Sequence, residues 1–417
     1  MEIKRDRYLQ RLIRKMKTKN VKVVTGIRRC GKSYLLFNLF RQHLLSTGVP
    51  EDHIIAVDLD NDDSTELLDS KALSKYVKDR IVDDGKYFVL LDEIQMVDGF
   101  VRVVNGINSL PNTDVYVTGS NSRFLSSDIA TEFRGRSSEI RVYPLSFQEF
   151  RSALEDEDKW ECWELYTTYG GMPEVLNMDG DEDKAEYLAR LMRDVYLLDI
   201  IEHYSPERTD DLGEILDTLF SSIGSLSNPK RVTDTLRTVK GSDIAYETTS
   251  RYIGMLEDAF ILEKVSRYDV IGNRHLNSPF KYYATDLGLR NASLNYRQLD
   301  DPHIMENVIY NELRSRGLSV DAGSVEVWET SGGVRSHKTV EVDFVVNRRF
   351  DRIYIQSAYD MKTVEKESQE LRPLLAIRDS FKKILIIGRD VAPYRNSDGI
   401  LIMGIMNFLL DEKSLDL

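Results

Sequence analysis

The chain has 417 residues, of which 41% are hydrophobic and 30% charged; this excludes a disordered or collagen-like polymer and, at roughly 150 residues per domain, predicts two or three buried cores. With 56 Lys and Arg against 69 Asp and Glu the formal charge is −13, so any nucleic-acid contact has to be local rather than spread over the surface. Cys30 and Cys162 are too few for a disulfide framework, and apolar runs such as Phe88–Leu91 are too short to span roughly 30 Å of hydrocarbon. The expectation is a cytoplasmic protein with no membrane segment.

Residues 1–20 hold eight Lys or Arg against Glu2 and Asp6, with Tyr8, Leu9, Leu12, Ile13 and Met16 at near-helical spacing. They predict a basic helix that packs its apolar stripe on the next domain, its charges either solvated or turned toward phosphate. From Val21 to Pro144, short β-rich runs (Val21–Thr25, Ile54–Leu59, Phe88–Leu91, Val115–Thr118) alternate with helical stretches at Ser33–His43 and Ser70–Val82. Continuous apolar strands separated by crossover helices predict a parallel sheet covered on both faces, in a domain spanning 1–150.

Gly26-Ile27-Arg28-Arg29-Cys30-Gly31-Lys32-Ser33 has the G-x-x-x-x-G-K-S spacing, follows a strand and opens a helix. Glycines turn successive amides inward around the β-phosphate, and the helix N-terminus adds partial positive charge. The nucleotide contact is assigned to Gly26, Ile27, Arg28, Arg29, Cys30, Gly31, Lys32, Ser33 and Tyr34. Lys32 bridges the β- and γ-phosphates of ATP, and the Ser33 hydroxyl ligates Mg²⁺. Arg28 and Arg29 contact either phosphate or partner carboxylates, and Cys30 is a small filler. The strand Tyr87–Leu91 ends in Asp92-Glu93, predicting Asp92 on the Mg²⁺ water shell and Glu93 as the general base. A third strand ends in Gly119-Ser120-Asn121, where Asn121, with Thr118 and Ser120 behind it, is the candidate γ-phosphate sensor. Arg134 and Arg136 are candidates for an arginine finger acting on a neighbouring subunit's ATP, which requires a homo-oligomer.

Residues 151–190 carry four Lys or Arg and twelve Asp or Glu, a net −8, and predict an acidic helical lid over 151–210. Helices at Asp211–Ile223, Arg231–Val239 and Glu247–Asp258 precede strands at Ile261–Ser266 and Lys281–Ala284 around a turn at Gly272–Asn273. That is the order of a winged helix-turn-helix, placed at 211–295. Its recognition helix offers Arg251 beside Glu257 and Asp258, weak equipment for reading a polyanion. A further α/β region fills 296–417, with a helix at Met305–Ser315, strands at Val325–Thr330, Val340–Val346, Ile353–Gln356 and Ile384–Ile387, and a helix near Ser368–Arg378. There Arg335, His337, Lys338, Arg348, Arg349 and Arg352 form a better candidate for phosphate contact.

Taken together, GIRRCGKS, YFVLLDE, TGSN, FRGR, YPLSFQEF, Tyr169-Gly170-Gly171-Met172-Pro173 and the Pro279–Gly288 run resemble prokaryotic AAA+ ATPases that join a P-loop domain to a C-terminal domain of unknown function. The resemblance covers essentially the whole chain. It implies an ATP-hydrolysing motor or switch, a winged-helix segment and a terminal fold similar to restriction-endonuclease-like nucleases. Such nucleases pair an acid with D/E-x-K on the next strand. Glu306 or Glu312 supplies the helix acid and Asp343 the strand acid, but Gln356-Ser357-Ala358 brings neither a second acid nor a lysine, so catalytic loss is expected unless Lys362 migrates in. The functional expectation is an ATPase associated with DNA or another nucleic acid, the alternative being a nucleotide-controlled assembly or signalling switch with a protein partner.

Overall fold

The apolar runs of the first third assemble into one sheet. In the computed structural model, β1 (Val21–Thr25), β2 (Ile54–Asp58), β3 (Tyr87–Asp92), β4 (Thr113–Thr118) and β5 (Ser137–Arg141) pair in parallel, in the order β2-β3-β4-β1-β5. The structure describes residues 3–119, 133, 135–154, 156–331, 334–348 and 351–417, without the side chains of 328–331 and 334–337. Every residue of β1, β3 and β4 is buried, as a sheet covered on both faces requires. One cover comes from the helices Ser70–Asp79 and Phe100–Asn108, through Leu73, Val77, Val103, Val104 and Ile107. β5 was not expected: Ser-Ser-Glu-Ile-Arg has no apolar run, and it becomes a strand by pairing along β1 with Ile140 buried.

The N-terminal helix Asp6–Lys15 buries Tyr8 and Leu12. Arg5, just ahead of it, is 2% exposed and therefore cannot face a polyanion. After β1 the chain is helical over Tyr34–Phe40 and on through Arg41–Ser46, burying Leu35, Leu36, Leu39, Phe40 and Leu44.

Residues 1–144, 195–205 and 258–260 form one compact unit; residues 145–194, 206–257 and 261–417 form a second. The second is organised on a nine-stranded sheet. Its strands are β6 (Leu226–Ser227), β7 (Leu262–Asp269), β8 (Arg274–Ala284), β9 (Ser319–Ser331), β10 (Val334–Arg348), β11 (Asp351–Ala358), β12 (Lys382–Ile387), β13 (Tyr394–Arg395) and β14 (Leu401–Gly404), in the order β13-β14-β12-β11-β10-β9-β7-β8-β6. Three helices, Thr209–Phe220, Pro229–Thr235 and Tyr246–Asp258, precede the β7–β8 hairpin, in the order expected. The hairpin does not stand alone, because β7 also pairs in parallel with β9. The boundary expected at 295 therefore lies inside a continuous sheet.

Two motifs outside the first sheet explain each other. Gly171 N–H donates to Asp286 Oδ2 at 2.7 Å, and Leu289 N–H donates to Asp286 Oδ1 at 3.0 Å, capping the helix Leu287–Ser293. A Cβ at Gly170 would lie 2.3 Å from Asp286 Oδ1, so the Gly-Gly pair is what lets this aspartate close on the chain.

Candidate nucleotide-binding site

The loop between β1 and its helix takes the turn its sequence requires. Gly26 lies at φ +140° and a Cβ there would meet the Val142 carbonyl oxygen at 2.2 Å, so only glycine fits beneath that chain. Arg29 and Gly31 also have positive φ, +60° and +96°. Positive-φ residues set among ordinary ones are what turns neighbouring amides to one side in an anion nest. Cys30 is fully buried as a filler. Lys32 is 4% exposed and its ammonium donates to the Gly26 carbonyl at 3.0 Å and the Ile27 carbonyl at 2.9 Å. It therefore spans the same loop whose amides face the cradle.

Arg5 braces the loop from behind. Its Nη1 donates to the Cys30 carbonyl at 3.0 Å and its Nη2 to the Tyr143 carbonyl at 2.6 Å. A planar guanidinium sets its two donors apart in a fixed geometry, which suits carbonyls from two distant parts of the chain better than the point donor of an ammonium.

The ends of β3 and β4 meet at this loop. Asp92 is buried, and its carboxylate accepts from the Ser33 and Thr118 hydroxyls. Burial pushes the Asp92 carboxyl above its ordinary value, while the two hydroxyls pull it back. Glu93 sits in the left-handed region at φ +49°, with its amide donating to Thr118 Oγ1 at 3.0 Å. The Gln95 side-chain amide donates to Glu93 Oε2 and fixes the carboxylate's orientation. Oxygen donors from Ser33 and Asp92 side by side fit a hard cation such as Mg²⁺.

A cleft of about 660 Å³ opens on these groups, lined by Arg28, Arg29, Ser33, Asp58, Asp60, Asn61, Asp62, Asp92, Glu93 and Val195. Asp58, Asp60 and Asp62 were not singled out in the sequence, although Asp58 closes β2 in register with Asp92 on β3. Nor did anything in the sequence point to the 195–205 segment. There Tyr196 OH donates to the Arg28 carbonyl at 2.7 Å, and Arg28 Nη1 lies 3.2 Å from Asp199 Oδ1. Burial raises the Asp199 carboxyl, and Arg28 opposes the rise. Of the two roles open for Arg28, a partner carboxylate is the contact seen.

Ser120, Asn121 and Arg134 lie outside the described residues. Arg136 is exposed at the start of β5, beside Val21 at the start of β1. Five residues of strand, about 16 Å, separate that end of the sheet from the end carrying the phosphate loop, so Arg136 cannot serve its own subunit's nucleotide.

In the second unit, Glu306 rather than Glu312 joins Asp343. Glu312 instead pairs with Arg316 at 2.7 Å, and Lys362 is solvent-exposed beside Asp360, so the one lysine that could have restored the missing position does not enter the pocket. The acids are met instead by Lys281 of β8, 2.7 Å from Glu306 Oε1, 2.6 Å from Glu341 Oε1 and 3.6 Å from Asp343 Oδ1. Of the basic tract on β10 and β11, Arg348 is paired with Asp416 and Arg352 lies over the Tyr268 ring, 4.8 Å from its centroid. Arg349 and the side chains of Arg335 and His337 are not among the described ones. Among the described residues no helix is long and apolar enough to cross a membrane.

Residues 18–151 match the AAA domain family, and residues 161–300 match a domain of unknown function, DUF8612. An uncharacterized protein of Haemophilus influenzae is 31% identical over 413 residues, covering 98% of each chain. An uncharacterized protein of Methanocaldococcus jannaschii is 25% identical over 374 residues, 86% of this chain and 79% of that one. Among solved structures, the ORC1 protein of Aeropyrum pernix in complex with DNA covers 73% of this chain and 94% of its own at 14% identity, with a TM-score of 0.29, a likeness that carries no argument. A phosphate loop in its strand–helix setting, inside a matched AAA domain, together with 31% identity to the Haemophilus influenzae protein over nearly the full length of both chains, shows that this chain belongs with it in one family of AAA+ P-loop ATPases.

Proposed function

We propose that this protein hydrolyses ATP at the β1–β3–β4 edge and passes its nucleotide state to the second unit. The observation that carries the reading is the convergence of Ser33, Asp92, Thr118 and Glu93 at the open end of the phosphate loop. Amides of Gly26 to Ser33 cradle the phosphates, and Lys32 neutralises charge on the β- and γ-groups. Ser33 and Asp92 are the residues that hold Mg²⁺, which when bound screens the triphosphate. A cleft lined by Asp58, Asp60, Asp62, Asp92 and Glu93 repels a bare polyanion, which supports nucleotide entering as its cation complex. Glu93, held by its amide on Thr118 and its carboxylate on Gln95, takes the proton of the attacking water. The γ-phosphate sensor is assigned to Asn121, and the trans finger to Arg134 or Arg136 of a neighbouring copy.

Coupling runs through residues 195–205. Arg28 lines the cleft while pairing with Asp199, so a nucleotide bound there competes for it and loosens the grip of Tyr196 and Asp199 on the loop. The second unit is read as a winged-helix segment continuous with a nuclease-like sheet that contacts nucleic acid without cutting it. A separate local polyanion contact on the first unit is supported by the exposed set Lys4, Arg14, Lys17 and Lys19 on an otherwise acidic chain. The alternative is an assembly or signalling switch with a protein partner, supported by the ion-paired or stacked state of Arg348 and Arg352.

Phosphate release by wild type and Glu93→Gln, with ATP binding followed in parallel, tests the ATPase reading: the variant binds and does not turn over. DNA and RNA added to the same assay separate the two readings. Stimulation that fades steeply with salt supports the nucleic-acid reading, and no effect of either polymer supports the protein switch.

A further inference from the structure

We infer that the Lys281 ammonium stands where a nuclease-like pocket would hold a divalent cation, so that this domain is locked in a metal-independent form by a lysine contributed from another strand. Glu341 and Asp343 of β10 both turn toward Lys281 beside a bulge in that strand, and Lys281 and Tyr283, two apart on β8, share a face. The two faces converge on Glu306. Lys281 Nζ donates to Glu306 Oε1 at 2.7 Å, lies 2.6 Å from Glu341 Oε1 and 3.6 Å from Asp343 Oδ1, and Tyr283 OH donates to the same Glu306 oxygen at 2.5 Å. An ammonium has three protons to give, and here three carboxylates surround it.

The rest of the pocket also suits an internal cation. Gln356 replaces an acid, its Oε1 accepting from the Asp343 amide at 3.3 Å, while Ser357 N–H donates to Asp343 Oδ2 at 2.8 Å. Lys281 is 1% exposed and Glu306 and Asp343 are each 7% exposed, so the ammonium is not a surface group that solvent can draw away. Burial works against its charge, but Glu306, Asp343 and Glu341 outweigh that and hold it protonated. Lysines do stand beside bound metals elsewhere, but here the ammonium fills the space between the carboxylates, so a divalent ion taking the same Glu306 and Glu341 oxygens would have to displace it from a buried site. The pocket therefore does not fit the metal that its fold resemblance implies, and Lys281 is the reason.

The test is Mn²⁺ binding to the full chain without nucleotide, followed by electron paramagnetic resonance of free Mn²⁺, in wild type, Lys281→Ala, Asp343→Asn and the double variant. Any Mn²⁺ held by the phosphate-loop acids is common to all four and cancels. Wild type is expected to bind no Mn²⁺ that Asp343→Asn removes. Lys281→Ala is expected to gain one Mn²⁺ per chain, at about tenfold or better affinity over background, and to lose it again with Asp343→Asn. Where Lys281→Ala folds poorly, Lys281→Gln keeps most of the volume and a neutral amide donor, and the readout is a rise in its unfolding temperature on adding Mn²⁺ that a further Asp343→Asn change removes. Asp343-dependent Mn²⁺ in wild type, or no gain in either Lys281 variant, overturns the inference.

Discussion

The Glu93 amide donates to Thr118 Oγ1 at 3.0 Å, while the Thr118 hydroxyl proton goes to Asp92. One side chain at the tip of β4 thus holds the acid assigned to the cation and fixes the backbone of the acid assigned to water. Glu93 needs that hold, since its left-handed backbone costs a non-glycine residue roughly 1–2 kcal/mol.

Thr118→Val is therefore expected to leave ATP binding nearly intact and to lower kcat by about 10- to 100-fold. It also removes a hydrogen bond that keeps the Asp92 carboxyl from rising further. Turnover that needs ionised Asp92 falls as pH drops, and the variant loses it at a higher pH than wild type. A pH–rate profile of the two proteins checks both effects; superimposable acid limbs contradict the assigned role.

Arg5→Ala leaves the Cys30 and Tyr143 carbonyls without their buried donor. The expected loss is about 2–4 kcal/mol of stability in the first unit, with ATP affinity reduced about tenfold. Arg5→Lys does not restore either, because it lacks the fork. Urea unfolding and nucleotide titration of both variants measure this.

Asp199→Asn removes the carboxylate that competes with phosphate for Arg28. The pair is partly exposed, so the gain is small: ATP is expected to bind up to about fivefold more tightly at low salt, with the difference shrinking as salt rises. Weaker binding contradicts the competition.

Burial pushes the Asp286 carboxyl up to about 6, against the backbone amides that pull it down. The native state then keeps a proton that the unfolded chain has already released between pH 4 and 6, so stability falls as pH rises through that window. Relative to Asp286→Asn, wild type is expected to lose up to about 3 kcal/mol between pH 4 and pH 7. Unfolding of both proteins across that range measures the slope, and a constant gap contradicts it.

What was legible in the sequence follows from burial on both faces. β1 to β4 each carry a run of apolar residues, so their positions could be read directly, and the phosphate loop is set by spacing alone. β5 carries a single buried apolar residue and exists only through its pairing with β1. Thr118 ranked behind Asn121 because a strand-end threonine has no signal beyond its type. Tyr196 and Asp199 reach the loop from a helix far along the chain. Lys281 escaped notice because the search for a lysine followed the strand after Asp343, whereas the cation comes from β8, upstream of both acids.

Equilibrium titration of Mg·ATP into wild type and Lys32→Ala bears most directly on the central claim. The account predicts saturation at one nucleotide per chain in wild type and no measurable binding in the variant. Absence of binding to wild type, or equal binding to both, contradicts it.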